Sequence, residues 1–235
     1  MKRVYKTVAV AEMGPGEGWE VRLDGRPLRT PGRAPLVLRQ KALADAIAAE
    51  WDAQDEEVRP DAMPLMQLAS TAVDRVAPAR DAIVDGVVRY AGTDLLCYRA
   101  DEAQPALQER QARVWQPILD WAALRYDARL AVRAGLMPVE QPQGAIQALR
   151  AAVEALDDMT LSGVQNATAV LGSLVLALAL HDGRVSAEEA FEASQLDETF
   201  QIEQWGEDAE AARRREMIRA DILGTRRFLD LLRAG

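Results

Sequence analysis

The chain is poor in the residues that most enzymes need for chemistry. It has one cysteine, Cys97, and one histidine, His181. A single cysteine excludes any internal disulfide, which suits a reducing compartment. A serine or cysteine nucleophile usually needs a base, most often histidine. His181 sits at the end of an apolar run beside Asp182 and Gly183, where a helix C-terminus favours cations, so it reads as a structural helix-end residue. Cys97 lies among apolar neighbours in DLLCYRA and reads as a buried, inert thiol. One His and one Cys cannot build a zinc site without several carboxylates. No DxDxDG loop offers calcium ligands. Neither LDGRPL nor MGPGEGW matches a phosphate-cradling GxxxxGK[ST] or GxGxxG sequence. No catalytic, cofactor or metal residue is therefore assigned.

Basic charge is also short. Acidic side chains outnumber basic ones 37 to 28, for a formal net charge of −9. Binding free nucleic acid needs a basic face, so no nucleic-acid partner is expected. The longest apolar run, VLGSLVLALAL (170–180), falls short of the roughly 20 residues a spanning helix requires. It reads as the central helix of a protein core, and no membrane insertion is expected. The opening MKRVYKTVAVAEM lacks the apolar stretch of a secretory signal. The expected location is the bacterial cytoplasm, or the mitochondrial matrix for a eukaryotic source.

What is present is an ordinary globular balance, 49% hydrophobic and 28% charged over 235 residues, enough for one large domain or two small ones. The first forty residues read as strands and turns. In GWEVRLDGRPL, Trp19, Val21 and Leu23 alternate with Glu20, Arg22 and Asp24. Asp24-Gly25 then supplies the residues that a tight hairpin turn wants at positive φ. APLVL (34–38) predicts a further short strand. From about residue 40 the period becomes helical. Leu43, Ile47 and Trp51 recur at four-residue steps, which favours Trp51 as core over its alternative, a second partner-binding candidate with Glu50. Pro64 suits a first helical turn. Helices are predicted over 64–76, 79–94, 105–126 and 142–156, with Pro117 starting a new segment or a kink in the third. Residues 128–135 read as a short strand or a connector.

One long apolar helix is predicted from a cap at Asp158 or Thr160 to Gly183. Ser186 with Glu189 three residues on forms a capping-box pattern. It opens a helix running to about Trp205, broken by Gly206. The last helix, 207–232, carries Ala211, Ile218, Ile222, Thr225, Leu229 and Leu232 as one stripe. The resulting fold class is α+β: a small strand-rich N-terminal domain (1–77, with a β-hairpin), followed by an all-helical C-terminal orthogonal bundle (78–235).

The stretch SQLDETFQIEQWGEDAE (194–210) stands apart, with six carboxylates, no basic residue, and the aromatics Phe200 and Trp205. Paired carboxylates can hydrolyse glycosidic bonds when suitably spaced, but Asp197 and Glu198 are neighbours and point apart on a helix. Three readings stand: a solvated acidic face, a docking surface with aromatic anchors, or a hydrolytic site. Phe200 and Trp205 are either anchors or core residues fixing the corner between helices.

Taken together, four blocks resemble a known family: GWEVRLDGRPLRTP (18–31); AIAAEWDAQDEEVRPDAMPLMQLASTAVD (46–74); YAGTDLLCYRA with WQPILDW (90–100, 115–121); and LGSLVLALALHDGRVSAEEAFEASQLDETFQIEQWGEDAE (171–210). Their order and spacing are similar to the assembly chaperones of the α subunit of F-type ATP synthase, the Atp12-type family of mitochondria and α-proteobacteria. Leu38-Arg39-Gln40 departs from the family's pattern, which has a proline there. The resemblance implies a molecular chaperone, not an enzyme, without cofactor and taken as a monomer. Its partner would be the unassembled α subunit, shielded from aggregation and handed on to β. It also directs attention to Glu203, Trp205, Glu207 and Asp208 as partner-binding residues. A generic helical adaptor and a carboxylate-based hydrolase are the alternatives.

Overall fold

The computed structural model describes residues 2–135 and 137–234. The chain divides into two compact units. The first takes the chain up to Arg80, adds Asp158–Gly163, and takes the C-terminal segment from Gly224 onward. The second holds Asp81–Asp157 and Val164–Leu223.

The first unit opens with an antiparallel three-stranded sheet, β1 (Val8–Gly14), β2 (Gly18–Leu23) and β3 (Arg26–Pro27), in the order β1-β2-β3. Asp24 (φ 49°) and Gly25 (φ 78°) make the predicted turn, both with the left-handed backbone that a two-residue hairpin requires. The strand expected over 34–38 is not formed. Pro35 has no N–H to donate, and only isolated bridges join Arg29 to Pro35 and Trp19 to Leu38.

Helix α1 (Lys41–Asp52) packs Leu43, Ile47 and Trp51 into this unit's core, as their spacing predicted. Tyr5 meets the Trp51 ring edge-on at 5.6 Å and donates its hydroxyl to the Trp51 carbonyl. Helix α2 (Pro64–Thr71) begins at Pro64 and gives way to a π-helical turn over Ala72–Val76. Its first backbone N–H groups have no intrahelical acceptor. The Glu50 carboxylate, in the last turn of α1, accepts from Leu65 at 2.8 Å and Met66 at 2.9 Å. Phe228, from the far end of the chain, is fully buried in the same core.

Among its described residues, the regular structure of the second unit is helical apart from a two-residue parallel pair. Helix α3 (Arg80–Arg89) leads into it. Strand β4 (Tyr98–Arg99) pairs with β5 (Arg133–Ala134), which lies within the segment predicted as strand or connector. Helix α4 (Pro105–Tyr126) runs as one helix through Pro117. Pro117 and Arg113, whose carbonyl the proline leaves without its usual donor, are both exposed, so water can serve that carbonyl. Helix α5 (Gln143–Glu154) follows.

The long apolar helix is two helices, α6 (Asp158–Leu171) and α7 (Leu174–Asp182). Gly172 turns left-handed (φ 68°), and the Ser173 hydroxyl caps α7 by accepting from Leu176 at 2.9 Å. Every residue from Leu174 to Leu180 is buried. Buried Asp94 also serves this break, accepting from the N–H groups of Leu96 and Val175, each at 3.1 Å.

The segment predicted as one helix to Trp205 is likewise divided, into α8 (Ala187–Ser194) and α9 (Leu196–Trp205). The capping box forms as expected. Glu189 N–H donates to Ser186 Oγ, and Ser186 N–H donates to the Glu189 carboxylate. Helix α10 (Ala209–Arg233) completes the chain, and its stripe buries Ile222, Thr225 and Leu229. The α+β class and the helical C-terminal part are those expected.

Candidate functional site

The acidic stretch 194–210 forms the corner between α9 and α10. Gly206 makes the turn with φ 84° and ψ 167°, a backbone that side-chain-bearing residues rarely adopt. Three consecutive anchors along α4 hold this region. Trp115, fully buried, donates its Nε1–H to the Ala193 carbonyl at 2.8 Å. Gln111, also buried, accepts from the Ala100 N–H and donates to Asp197 at 2.7 Å. Arg110 pairs with Glu203 at 2.8 Å, and its guanidinium lies 5.7 Å from the centre of the Phe200 ring.

The four expected partner-binding residues separate into two kinds. Glu203, Glu207 and Asp208 are engaged within the chain. Glu203 holds Arg110, and Glu207 pairs with Arg215 at 3.3 Å. Asp208 caps α10 by accepting from the N–H groups of Glu210 and Ala211. Trp205 is different: it is 77% exposed at the last turn of α9. An indole in water forgoes the burial that usually makes Trp a core residue. Phe200 is half-buried under Arg110, so the two aromatics do not share a role.

Beside the corner lies an open cleft of 590 Å³, lined in part by Arg110, Arg113, Arg184, Arg215, Glu189 and Glu203. Arg215 reaches it from α10. It donates to the Thr199 hydroxyl at 3.0 Å and stacks over Phe191, while its Nη1 is buried without a partner. The arginines were not foreseeable as neighbours of Glu203, because Arg110 lies 93 positions away in sequence. Arg215 follows Glu207 by eight positions and reaches back to it from α10.

The arrangement argues against acid/base chemistry at this corner. Burial raises the Asp197 carboxyl, but Gln111 and nearby Arg99 favour its ionised form, and it faces a structural glutamine rather than a second carboxylate. Glu203 is engaged in an ion pair with Arg110. No cluster of three or more His, Cys, Asp or Glu side chains is arranged to hold a metal ion among the described residues. Burial pushes the Cys97 thiol up to about 12, which leaves it protonated and inert. His181 closes α7, its Nε2 3.9 Å from Asp182. No helix among the described residues is long and apolar enough to cross a membrane.

Comparison with known proteins bears on this geometry. The family model described as ATP12 chaperone protein matches residues 2–123. The crystal structure of Atp12 from Paracoccus denitrificans has a TM-score of 0.92 to this chain at 42% identity, covering 98% of each chain. A mutant of P. denitrificans Atp12p gives a TM-score of 0.91 at 42% identity, over 98% of this chain and 97% of that one. The mitochondrial protein atp12 of Schizosaccharomyces pombe is 26% identical over 202 residues, 80% of this chain and 69% of its own.

Proposed function

The chain belongs to the ATP12 chaperone family, which acts in ATP synthase assembly, and we propose from that premise that its client is the unassembled α subunit of F-type ATP synthase. A subunit waiting for its partners exposes apolar surface that the finished assembly buries. Large obligate interfaces are core-like, and such patches aggregate when bare. A chaperone here covers that surface, binds more weakly than the rightful neighbour, and is displaced when β arrives. Nothing in this cycle requires bond chemistry, consistent with a binding protein rather than an enzyme.

The observation that carries the site is Trp205. It stands exposed on a corner whose acids are oriented by Arg110, Arg215 and the start of α10. Aromatic anchors dominate many interfaces because they bury large area at low entropic cost. In this reading Trp205 inserts into the client, while Glu203, Glu207 and Asp208 set orientation and association rate through basic residues on α. The intramolecular pairs suit that role, because they hold each carboxylate in place before the client arrives.

The test is capture of purified, unassembled α and β subunits, with light scattering as dilute α is warmed. The wild-type protein is expected to retain α, not β, and to suppress scattering. Glu203→Lys reverses one charge and sets it against Arg110. An exposed ion pair contributes only about 0–1 kcal/mol, so folding should survive while α capture falls by about tenfold or more. Trp205→Ala should abolish capture at an unchanged melting temperature. Full α capture by both variants would remove the corner from the binding surface.

A further inference from the structure

The sheet of the first unit has two unlike edges. On one side β3 is two residues long and ends in Pro27. On the other, β1 runs seven residues, contains no proline or lysine, and pairs only with β2. Natural sheets blunt their edges with short strands, prolines and lysines, and here only the β3 side is so treated. The hydrogen bonds of β2 show which way the groups of β1 point. Trp19 bonds Leu38 through both its N–H and its C=O, at 2.7 and 2.9 Å, and the Val21 carbonyl accepts from Leu28 at 2.8 Å. Both residues therefore face away from β1. In an antiparallel pair the residues opposite them, Glu12 and Val10, then face away from β2. Thr7, of the other parity, turns its carbonyl inward to accept from Asp24 at 3.0 Å. Val8, Val10 and Glu12 thus present their N–H and C=O groups outward. Among the described residues, no hydrogen bond within the chain serves them.

The side chains along this edge describe the occupant further. Val8 and Val10 pack against the core yet stay partly exposed, whereas Val21, opposite Val10 on β2, is 1% exposed. The apolar layer of the sheet therefore ends uncovered at β1. Glu12 is exposed and makes no ion pair among the described residues. A row of alternating donors and acceptors is matched by an extended main chain. Apolar side chains at alternate positions would cover Val8 and Val10, and a Lys or Arg would complement Glu12. A second copy of this chain fits poorly. Paired through β1 alone, two copies share a ribbon about 24 Å long and about 10 Å thick, or about 500 Å² in all. That is about half of the roughly 1,000 Å² a stable interface needs. A client already held at the acidic corner needs no such area, because its second contact forms at high effective concentration.

We propose that β1 is a strand-addition site, at which an extended, alternately apolar segment of the unassembled α subunit joins the sheet as a fourth strand, with a basic residue facing Glu12. The N–H groups of Val8, Val10 and Glu12 donate to its carbonyls, and their own carbonyls accept from its N–H groups. The proposal rests on the reading of α as the client.

Amide hydrogen exchange of the full chain, alone and with purified α subunit, tests it. The Val10 and Glu12 amides should exchange freely in the chain alone and slow by about tenfold or more with α bound. Those of Ala9 and Ala11, already bonded to β2, should change little. Glu12→Pro deletes one outward N–H and no bond to β2, a place where an edge strand tolerates proline. It should weaken α capture by about tenfold at the wild-type melting temperature. Capture of α without slowed exchange at Val10 and Glu12 overturns the proposal, as does full capture by Glu12→Pro. Protection that appears without α and grows with the concentration of the chain overturns it in favour of a second copy. Failure of the wild-type chain to capture α sinks the client reading and this site with it, a pattern distinct from capture without protection.

Discussion

Removing Asp94 should damage this protein more than any change at the acidic corner. Asp94 is fully buried, yet it meets donors on every side. The N–H groups of Leu96 and Val175 donate to its two oxygens at 3.1 Å, and Ser173 and the Leu174 N–H add further bonds. Val175 and Leu174 open α7, whose buried start no water can serve. Asp94→Ala strands at least two buried N–H groups that had bonded a carboxylate. Each such loss costs about 1–3 kcal/mol, for a total of about 2–6 kcal/mol. That is a large share of the roughly 5–15 kcal/mol that holds a domain folded. Asp94→Asn keeps the shape and sheds the buried charge, but it turns an amide NH₂ toward a donor, so it should lose less than Asp94→Ala. Urea unfolding at pH 7 reads both as lower midpoints at unchanged slope. A midpoint for Asp94→Ala within 1 kcal/mol of wild type would refute the claim that this carboxylate holds α7.

The same group predicts a pH dependence. Burial raises the Asp94 carboxyl from 3.8 to about 6, against the opposing pull of its hydrogen bonds. Its folded value lies above its unfolded one, so between them the folded chain binds the proton more tightly. The resulting stabilisation is fully present below 3.8 and is lost as pH rises through about 6. The difference amounts to about 3 kcal/mol. Wild type should therefore gain stability from this group as pH falls from 7 to 5, and Asp94→Asn should lack that component. Identical slopes in the two proteins would refute the assignment.

Two further changes probe packing and capping. A Cβ on Gly163 would lie 2.8 Å from Leu229 Cδ2 and 3.2 Å from its Cγ, and Leu229 is buried. Gly163→Ala should destabilise by about 1–2 kcal/mol, because overpacking outweighs the gain in helix propensity; a raised melting temperature would show that Leu229 can yield. Ser186→Ala removes half of the α8 capping box and should cost about 1 kcal/mol in urea unfolding. An unchanged midpoint would mean that Glu189 alone holds that helix start.

Features decided within a few residues were legible in advance. The Asp24-Gly25 turn needs only two residues able to take positive φ. The Ser186–Glu189 box needs only a three-residue spacing. Trp51 and the stripe of α10 follow from helical period, as does the inertness of Cys97 from its apolar setting. Where periodicity was silent, the reading went astray. The run ending at Leu180 is apolar on all sides, so nothing in its pattern marks the break at Gly172 and Ser173 that Asp94 and Ser173 stabilise. Pro117 stays inside α4 because its face is exposed, and exposure is a property of packing.

The candidate site divides along the same line. Six carboxylates and two aromatics near Gly206 were visible as a cluster, and the blocks around them pointed to a chaperone. Composition could not say that Trp205 faces water while Trp115 is sealed in the core, or that Glu203 is held by Arg110. Nor could it show Phe228 completing the core that Tyr5 and Leu43 begin. By itself the sequence determined the hairpin turn, the capping box, the helical stripes and the family pattern. These rest on residue type and on spacings of a few positions, which every chain conformation carries. Only the tertiary structure decided which aromatic faces water, which acid is already paired and which buried donor lacks a partner, because each depends on groups brought together from distant parts of the chain.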